Sequence, residues 1–146
     1  LDFKMILNES IAGKKAQTFL KKKLENGFKN VKEKEKNILE EEKKIIQQKK
    51  IISNDEYQKK VSELRKKVST IQKERNDLLQ STAKQRSKAK DTLLKNLNPI
   101  VRTYMIEKKI RIVIDKKYVL LGDDNLDITN DIIDLLNKKL KTINLN

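Results

Sequence analysis

The chain has 146 residues and carries 35 Lys or Arg against 21 Asp or Glu, a formal net charge of +14. Hydrophobic residues are 36% and charged residues 38%, against roughly one half and one quarter in an ordinary globular chain, so there is little apolar material for a packed sphere. Cys, His and Trp are all missing, which removes thiol nucleophiles, Cys/His metal sites and any imidazole base. Binding rather than catalysis is the expectation, with no cofactor, no metal and no small-molecule substrate.

The chain opens with LDFKMIL, half-apolar like the end of a strand, and no charged-then-apolar leader precedes it, so Leu1 reads as a truncated or processed end. Asn8 or Ser10 is then placed to cap a helix. From Ile11 to about Ile52 there is no Pro, and Leu24, Val31, Ile38, Ile45 and Ile52 stand seven apart. This predicts one long amphipathic helix, at about 1.5 Å per residue. The interleaved row is poorer: after Phe28 it falls on Glu35, Glu42 and Lys49. The run breaks at Ser53-Asn54-Asp55-Glu56, where Ser53 or Asn54 can cap a second helix and the acids suit its N-terminal dipole.

That second helix shows a 4,3 alternation at Tyr57, Val61, Leu64, Val68, Ile71 and Leu78, interrupted by Arg75. A tip this short joins antiparallel neighbours, so the pair is a coiled-coil hairpin. Polar residues at Glu35, Glu42, Lys49 and Arg75 of its seam should loosen the packing and leave the tip mobile. Apolar residues become denser at Leu93, Leu97, Ile100 and Tyr104, and Pro99 should bend the helix or break one turn. Ile110 to Ile114 and Tyr118 to Leu121, separated by Asp115-Lys116-Lys117, read as a small hairpin of strands. Gly122 to Asn125 is a loop, and Asp127 or Thr129 caps a last helix carrying Ile132, Ile133, Leu136 and Leu140. The class is mainly α with a small β body. Residues 1–12 with 98–146 form that body and 13–97 the hairpin, with its tip near 53–56.

The charge belongs to the hairpin. Residues 14–97 hold 25 Lys or Arg and 12 acids, whereas the rest hold 10 and 9. Solvated helical faces held by pairs such as Glu40 with Lys44 would explain a balanced surface, but an excess on two arms would attract an anionic partner. Glu40-Glu41-Glu42 and Asp123-Asp124 lack a nearby nucleophile or calcium-loop spacing. Gly13 and Gly27 build no phosphate-cradling loop, and Tyr57 and Tyr104 fall on the apolar stripe as packing residues.

Three segments, ESIAGKKAQ (Glu9 to Gln17), IRIVIDKKYVLLGDD (Ile110 to Asp124) and LDITNDIIDLLN (Leu126 to Asn137), make the chain resemble the Skp/OmpH family of periplasmic chaperones. The resemblance implies a homotrimer with a β-barrel association body shared by three subunits. Ile110, Ile112, Ile114, Val119, Leu121, Ile128 and Ile132 would serve that body. It implies three helical tentacles around a cavity that holds unfolded outer-membrane β-barrel proteins without ATP. It also implies the periplasm of a Gram-negative bacterium and a removed signal peptide. Of the family's first strand only LDF at its end is present. Client contacts would be diffuse: apolar Leu39, Ile46, Ile51, Ile52 and Leu79 among basic Lys43, Lys44, Lys49, Lys50, Lys59, Lys60, Arg65, Lys66 and Lys67. Contact with anionic lipid or lipopolysaccharide is left open. The alternatives are a basic hairpin that binds nucleic acid, disfavoured for want of a reading motif and of aromatic interleaving, and a purely structural coiled coil, which leaves the strand-rich ends unexplained.

Overall fold

The computed structural model describes residues 1–145. Four α-helices follow one another: α1 (Phe3–Glu9), α2 (Ile11–Gln48), α3 (Asn54–Glu107) and α4 (Thr129–Lys139), with short 3-10 turns at Lys116–Tyr118 and Asp124–Leu126. At about 1.5 Å per residue α2 is close to 57 Å long and α3 close to 80 Å. The chain divides into two units, residues 1–21 with 84–145 and residues 22–83. α2 and α3 contribute to both.

In the first unit, the opening segment is a helix and not a strand end. Asp2 stands outside α1 with an extended backbone, and its side chain accepts from the Met5 amide at 2.8 Å, an N-cap that satisfies one orphan donor of the first turn. Ile6 is then fully buried, packed with Leu1, Ala12, Leu93, Leu97, Ile100, Tyr104, Ile132, Ile133 and Leu136. Ser10 separates α1 from α2 and caps α2 by accepting from the Gly13 amide at 3.2 Å. A Cβ on Gly13 would lie 2.1 Å from the Leu7 carbonyl oxygen, so the sharp α1–α2 corner requires glycine there.

α3 runs through Pro99 without interruption. Pro99 is exposed, so the carbonyl it leaves without a helical partner has access to water, and the break expected there does not occur. The helix closes with the bond pattern of a Schellman motif: the Ile110 amide reaches the Met105 carbonyl at 2.8 Å and the Lys109 amide reaches Ile106 at 3.2 Å. Lys109 takes the left-handed backbone that this motif needs, with φ of 55°.

The expected strands are absent from the described residues. Residues 111–115 have no regular structure and the second run falls partly in a 3-10 turn, which Asp115 caps by accepting from the Lys117 amide. One rung of parallel pairing exists: Leu1 donates its amino group to the Ile114 carbonyl at 3.2 Å and accepts from the Lys116 amide at 2.9 Å. The physical reason is partnership. A strand is defined by its neighbour's hydrogen bonds, and the rest of Ile110 to Leu121 finds no such neighbour among the described residues. Propensity here outran pairing.

In the second unit the seven-residue row holds. Leu24, Val31, Ile38, Ile45 and Ile52 are buried or half-buried, as are Tyr57, Val61, Leu64, Ile71 and Leu78 on α3, whereas Val68, expected in the same row, is exposed. The second helix is capped by Ser53, whose Oγ accepts from the Glu56 amide at 3.2 Å and donates to the Glu56 carboxylate at 3.5 Å.

Candidate functional site

The hairpin seam differs from expectation by one residue in its second row. Glu35, Glu42, Lys49 and Arg75 are exposed, and Phe28 is largely so. The interleaved row is instead Gly27, Lys34, Glu41 and Gln48, all half-buried. The last three are matched across the hairpin. Lys34 Nζ meets Glu74 Oε2 at 2.6 Å, Lys67 Nζ meets both Glu41 oxygens at 2.7 Å, and Lys60 Nζ meets Gln48 Oε1 at 2.6 Å. Each successive pair moves seven residues forward on α2 and seven back on α3. At Gly27 the other helix comes close: an added Cβ would lie 2.4 Å from a Leu78 methyl.

This seam alternates apolar layers with charged ones. Partly exposed ion pairs contribute about 0–1 kcal/mol each, far less than the ~1.5–3 kcal/mol of a fully buried aliphatic side chain. What the polar layers add is register, since a one-heptad slip would set Lys34 against Lys67. On the surface, Glu40 pairs with Lys36 at 3.9 Å rather than with Lys44.

The seam also sorts the expected client residues. Ile52 and Lys60 are half-buried and Lys60 bonds across the seam, whereas Lys67 bonds across it to Glu41 with its side chain still 53% exposed. Leu39, Ile46, Ile51 and Leu79 are exposed, Ile51 by 82%. Lys43, Lys44, Lys49, Lys50, Lys59, Arg65 and Lys66 are exposed beside them, and Lys49 lies 5.6 Å from the centre of the Tyr57 ring. Between Ile46, Tyr57, Val61, Arg65 and Val68 runs a shallow groove of about 400 Å³. Apolar side chains scattered singly in a cationic field can make many weak contacts with a chain that stays unfolded.

The second candidate surface lies in the other unit. Ile106, Ile112, Ile114, Tyr118, Val119, Leu120, Leu121 and Leu126 are exposed, Leu120 by 95% and Leu121 by 90%. Exposed large apolar side chains in such number mark a candidate interaction surface. Of the residues expected to serve an association body, Ile112, Ile114, Val119 and Leu121 belong to it, whereas Ile110 and Ile128 pack partly against the chain's own core. Ile132 is fully buried in that core and is unavailable to any second copy. Tyr118 and Leu120 stood in the same apolar run and were readable from it.

The run is framed by a polar clasp. Lys116 Nζ reaches Asp127 Oδ2 at 2.6 Å, and the other Asp127 oxygen accepts from the Thr129 amide at 3.0 Å and from its hydroxyl. Thr129 Oγ1 accepts in turn from the Asp2 amide at 2.8 Å. The Lys116 bond, then the Thr129 donors, hold the Asp127 carboxyl well below the usual carboxylate range. Below the core, Tyr104 donates to Asp131, and that bond raises the phenol above its ordinary value. Asp127 and Thr129 were rival caps in the sequence; the N-cap position is instead Ile128, without a side-chain cap bond, and Asp127 accepts from the first helical amide, that of Thr129.

A family model described as outer membrane protein (OmpH-like) matches residues 1–136. No curated protein matches the chain. Among solved structures, an OmpH-like protein of Caulobacter crescentus, described as a candidate outer membrane chaperone, superimposes with a TM-score of 0.89 at 19% identity, over 95% of this chain and 82% of that one. At that identity the likeness establishes a shared fold.

Proposed function

The chain belongs to the OmpH-like outer membrane protein family, and from that premise we propose that it is an ATP-independent holdase chaperone for unfolded outer-membrane β-barrel proteins in the periplasm of a Gram-negative bacterium. The observation that carries the reading is the hairpin surface. Leu39, Ile46, Ile51 and Leu79 stand exposed and separated by Lys and Arg, too dispersed to form one specific pocket and too apolar to be inert. An unfolded β-barrel protein presents alternating apolar and polar residues, and an acidic one would be drawn in electrostatically and held by several short-lived apolar contacts. Such binding needs no nucleotide, and it ends when the client finds a partner that binds its folded form better.

The exposed run from Ile112 to Leu121 supports assembly into a homotrimer, in which strands that find no neighbour within one chain would pair between chains. The small core of the first unit agrees, because a short apolar cluster rarely stabilises a body alone. The experiment is to dilute a urea-unfolded outer-membrane β-barrel protein into the purified protein and resolve the mixture by size exclusion with light-scattering mass. A soluble complex of three copies with one client is expected. A client that pellets without the protein, or a protein that stays monomeric at micromolar concentration, overturns the reading.

A further inference from the structure

The hairpin of residues 22–83 carries a second set of apolar residues that its own seam does not use. On α2, Phe28, Glu35 and Glu42 stand seven apart, and Lys32, Leu39 and Ile46 form the neighbouring row four residues on. On α3, Val61, Val68 and Arg75 form one row and Arg65, Gln72 and Leu79 the next. A 4,3 alternation keeps such rows on one helix face. Glu42 and Ile46 from α2 and Val61, Arg65 and Val68 from α3 line the same groove, so the two faces border one flank of the hairpin. The other flank is polar, lined by Lys34, Asn37, Glu41, Lys66 and Thr70.

The bonds of Lys34 with Glu74, Glu41 with Lys67 and Gln48 with Lys60 align the two helices, and that alignment sets Ile46 level with Val61, Leu39 with Val68 and Phe28 with Leu79. Val61 is half-buried and the other five are exposed. No single layer makes a pocket. Along α2 the layers are seven and then eleven residues apart, about 10.5 and 16.5 Å. An extended chain places same-face residues about 6.7 Å apart, so it misses the second layer when it fills the first, whereas a helix returns to one face after seven and after eleven residues. The spacing selects a helix. Charge narrows it further: Lys32, Arg65 and Arg75, with Lys49 continuing the first row just past α2, stand against Glu35 and Glu42. We infer that this flank is a docking groove for an acidic amphipathic helix of a partner protein, which packs along the hairpin as a third helix. The inference goes beyond the chaperone reading, because the occupant is helical when bound rather than an unfolded client. A second copy of this chain fits poorly, since it would bring a net charge of +14 to a groove that is itself positive.

The test uses the full chain and two fluorescein-labelled acidic peptides of equal composition. One has leucine seven and then eleven residues apart among glutamate and alanine; the other has the same leucines at alternate positions. The first should bind about tenfold more tightly by anisotropy, and its circular dichroism should gain helix on binding, since a short free peptide is only marginally helical. Equal affinity for the two, or binding without a gain of helix, overturns the inference, and this comparison needs no variant to fold. I46N with V68N should weaken the first peptide about tenfold, and because both side chains are exposed the helix signal of the chain itself should not change. I51N, at an exposed residue outside the groove, should leave binding as it was. Full affinity in the double variant, or an equal loss in I51N, overturns the inference as well. Suppression of β-barrel aggregation by the unaltered chain is scored separately. Its failure sinks the chaperone reading alone, whereas its success with the two peptides bound equally sinks only the helix groove.

Discussion

Asp127 ties three segments together through its contacts with Lys116 and Thr129 and, through Thr129, with Asp2. Its carboxyl is depressed in the folded chain, so the stability it contributes is fully present above the ordinary carboxylate value of about 4 and is lost as pH falls below it, where the unfolded chain takes up the proton first. D127N should accordingly be less stable than the unaltered chain at pH 7, and the gap should narrow below about pH 4, as read by urea unfolding at each pH. At Lys109 a branched-free but non-glycine residue holds a left-handed φ of 55°. K109G should raise stability by up to about 1 kcal/mol by removing the Cβ cost of that conformation, and a fall in the urea midpoint would contradict it. The Schellman closure was illegible beforehand because Lys carries no signal for it, whereas Ser10 and Ser53 declared themselves as caps by residue type and position.

At the scale of elements, the seven-residue apolar row was legible because five residues, four in α2 and Ile52 in the turn beyond its end at Gln48, repeated without interruption. Its companion row was not, since Phe28 drew the reading one residue out of phase and the true row, Lys34, Glu41 and Gln48, is polar. Only the facing helix shows that these residues are matched. The charged layers carry a prediction. E41K sets a second cation beside Lys67 and should destabilise the hairpin by about 1 kcal/mol, and adding K67E should restore most of that loss; a double variant no better than the single one would show that the pair does not act across the seam. The strands illustrate the opposite failure. Ile110 to Ile114 and Tyr118 to Leu121 have strand composition, yet composition cannot supply the neighbouring backbone, and in the single chain they remain an exposed apolar run. L120D with L121D should leave helix content unchanged and abolish self-association in sedimentation, since those side chains contribute almost nothing to the chain's own core.

For the whole molecule, the net charge of +14 was the first feature visible and sets the range of its action. Long-range attraction between exposed charges fades beyond a Debye length of about 8 Å at physiological salt, so recruitment should weaken with salt while apolar holding persists. Capture of an acidic unfolded β-barrel protein should slow markedly between 50 and 500 mM salt, by about tenfold or more, with a smaller change in the rate of release. The proposed client residues were named from the sequence by residue type alone, and the structure adds that Lys60 and Lys67 bond across the seam while Ile52 is half-buried. The packing of Leu145 over Ala16, Leu20 and Ala89 went unread, because the meaning of two alanines depends on what lies over them. The most direct measurement is light scattering from an outer-membrane β-barrel protein diluted out of urea in the presence of this chain. Scattering suppressed at three copies per client, without nucleotide, is the predicted result; scattering that rises as in buffer alone would contradict it.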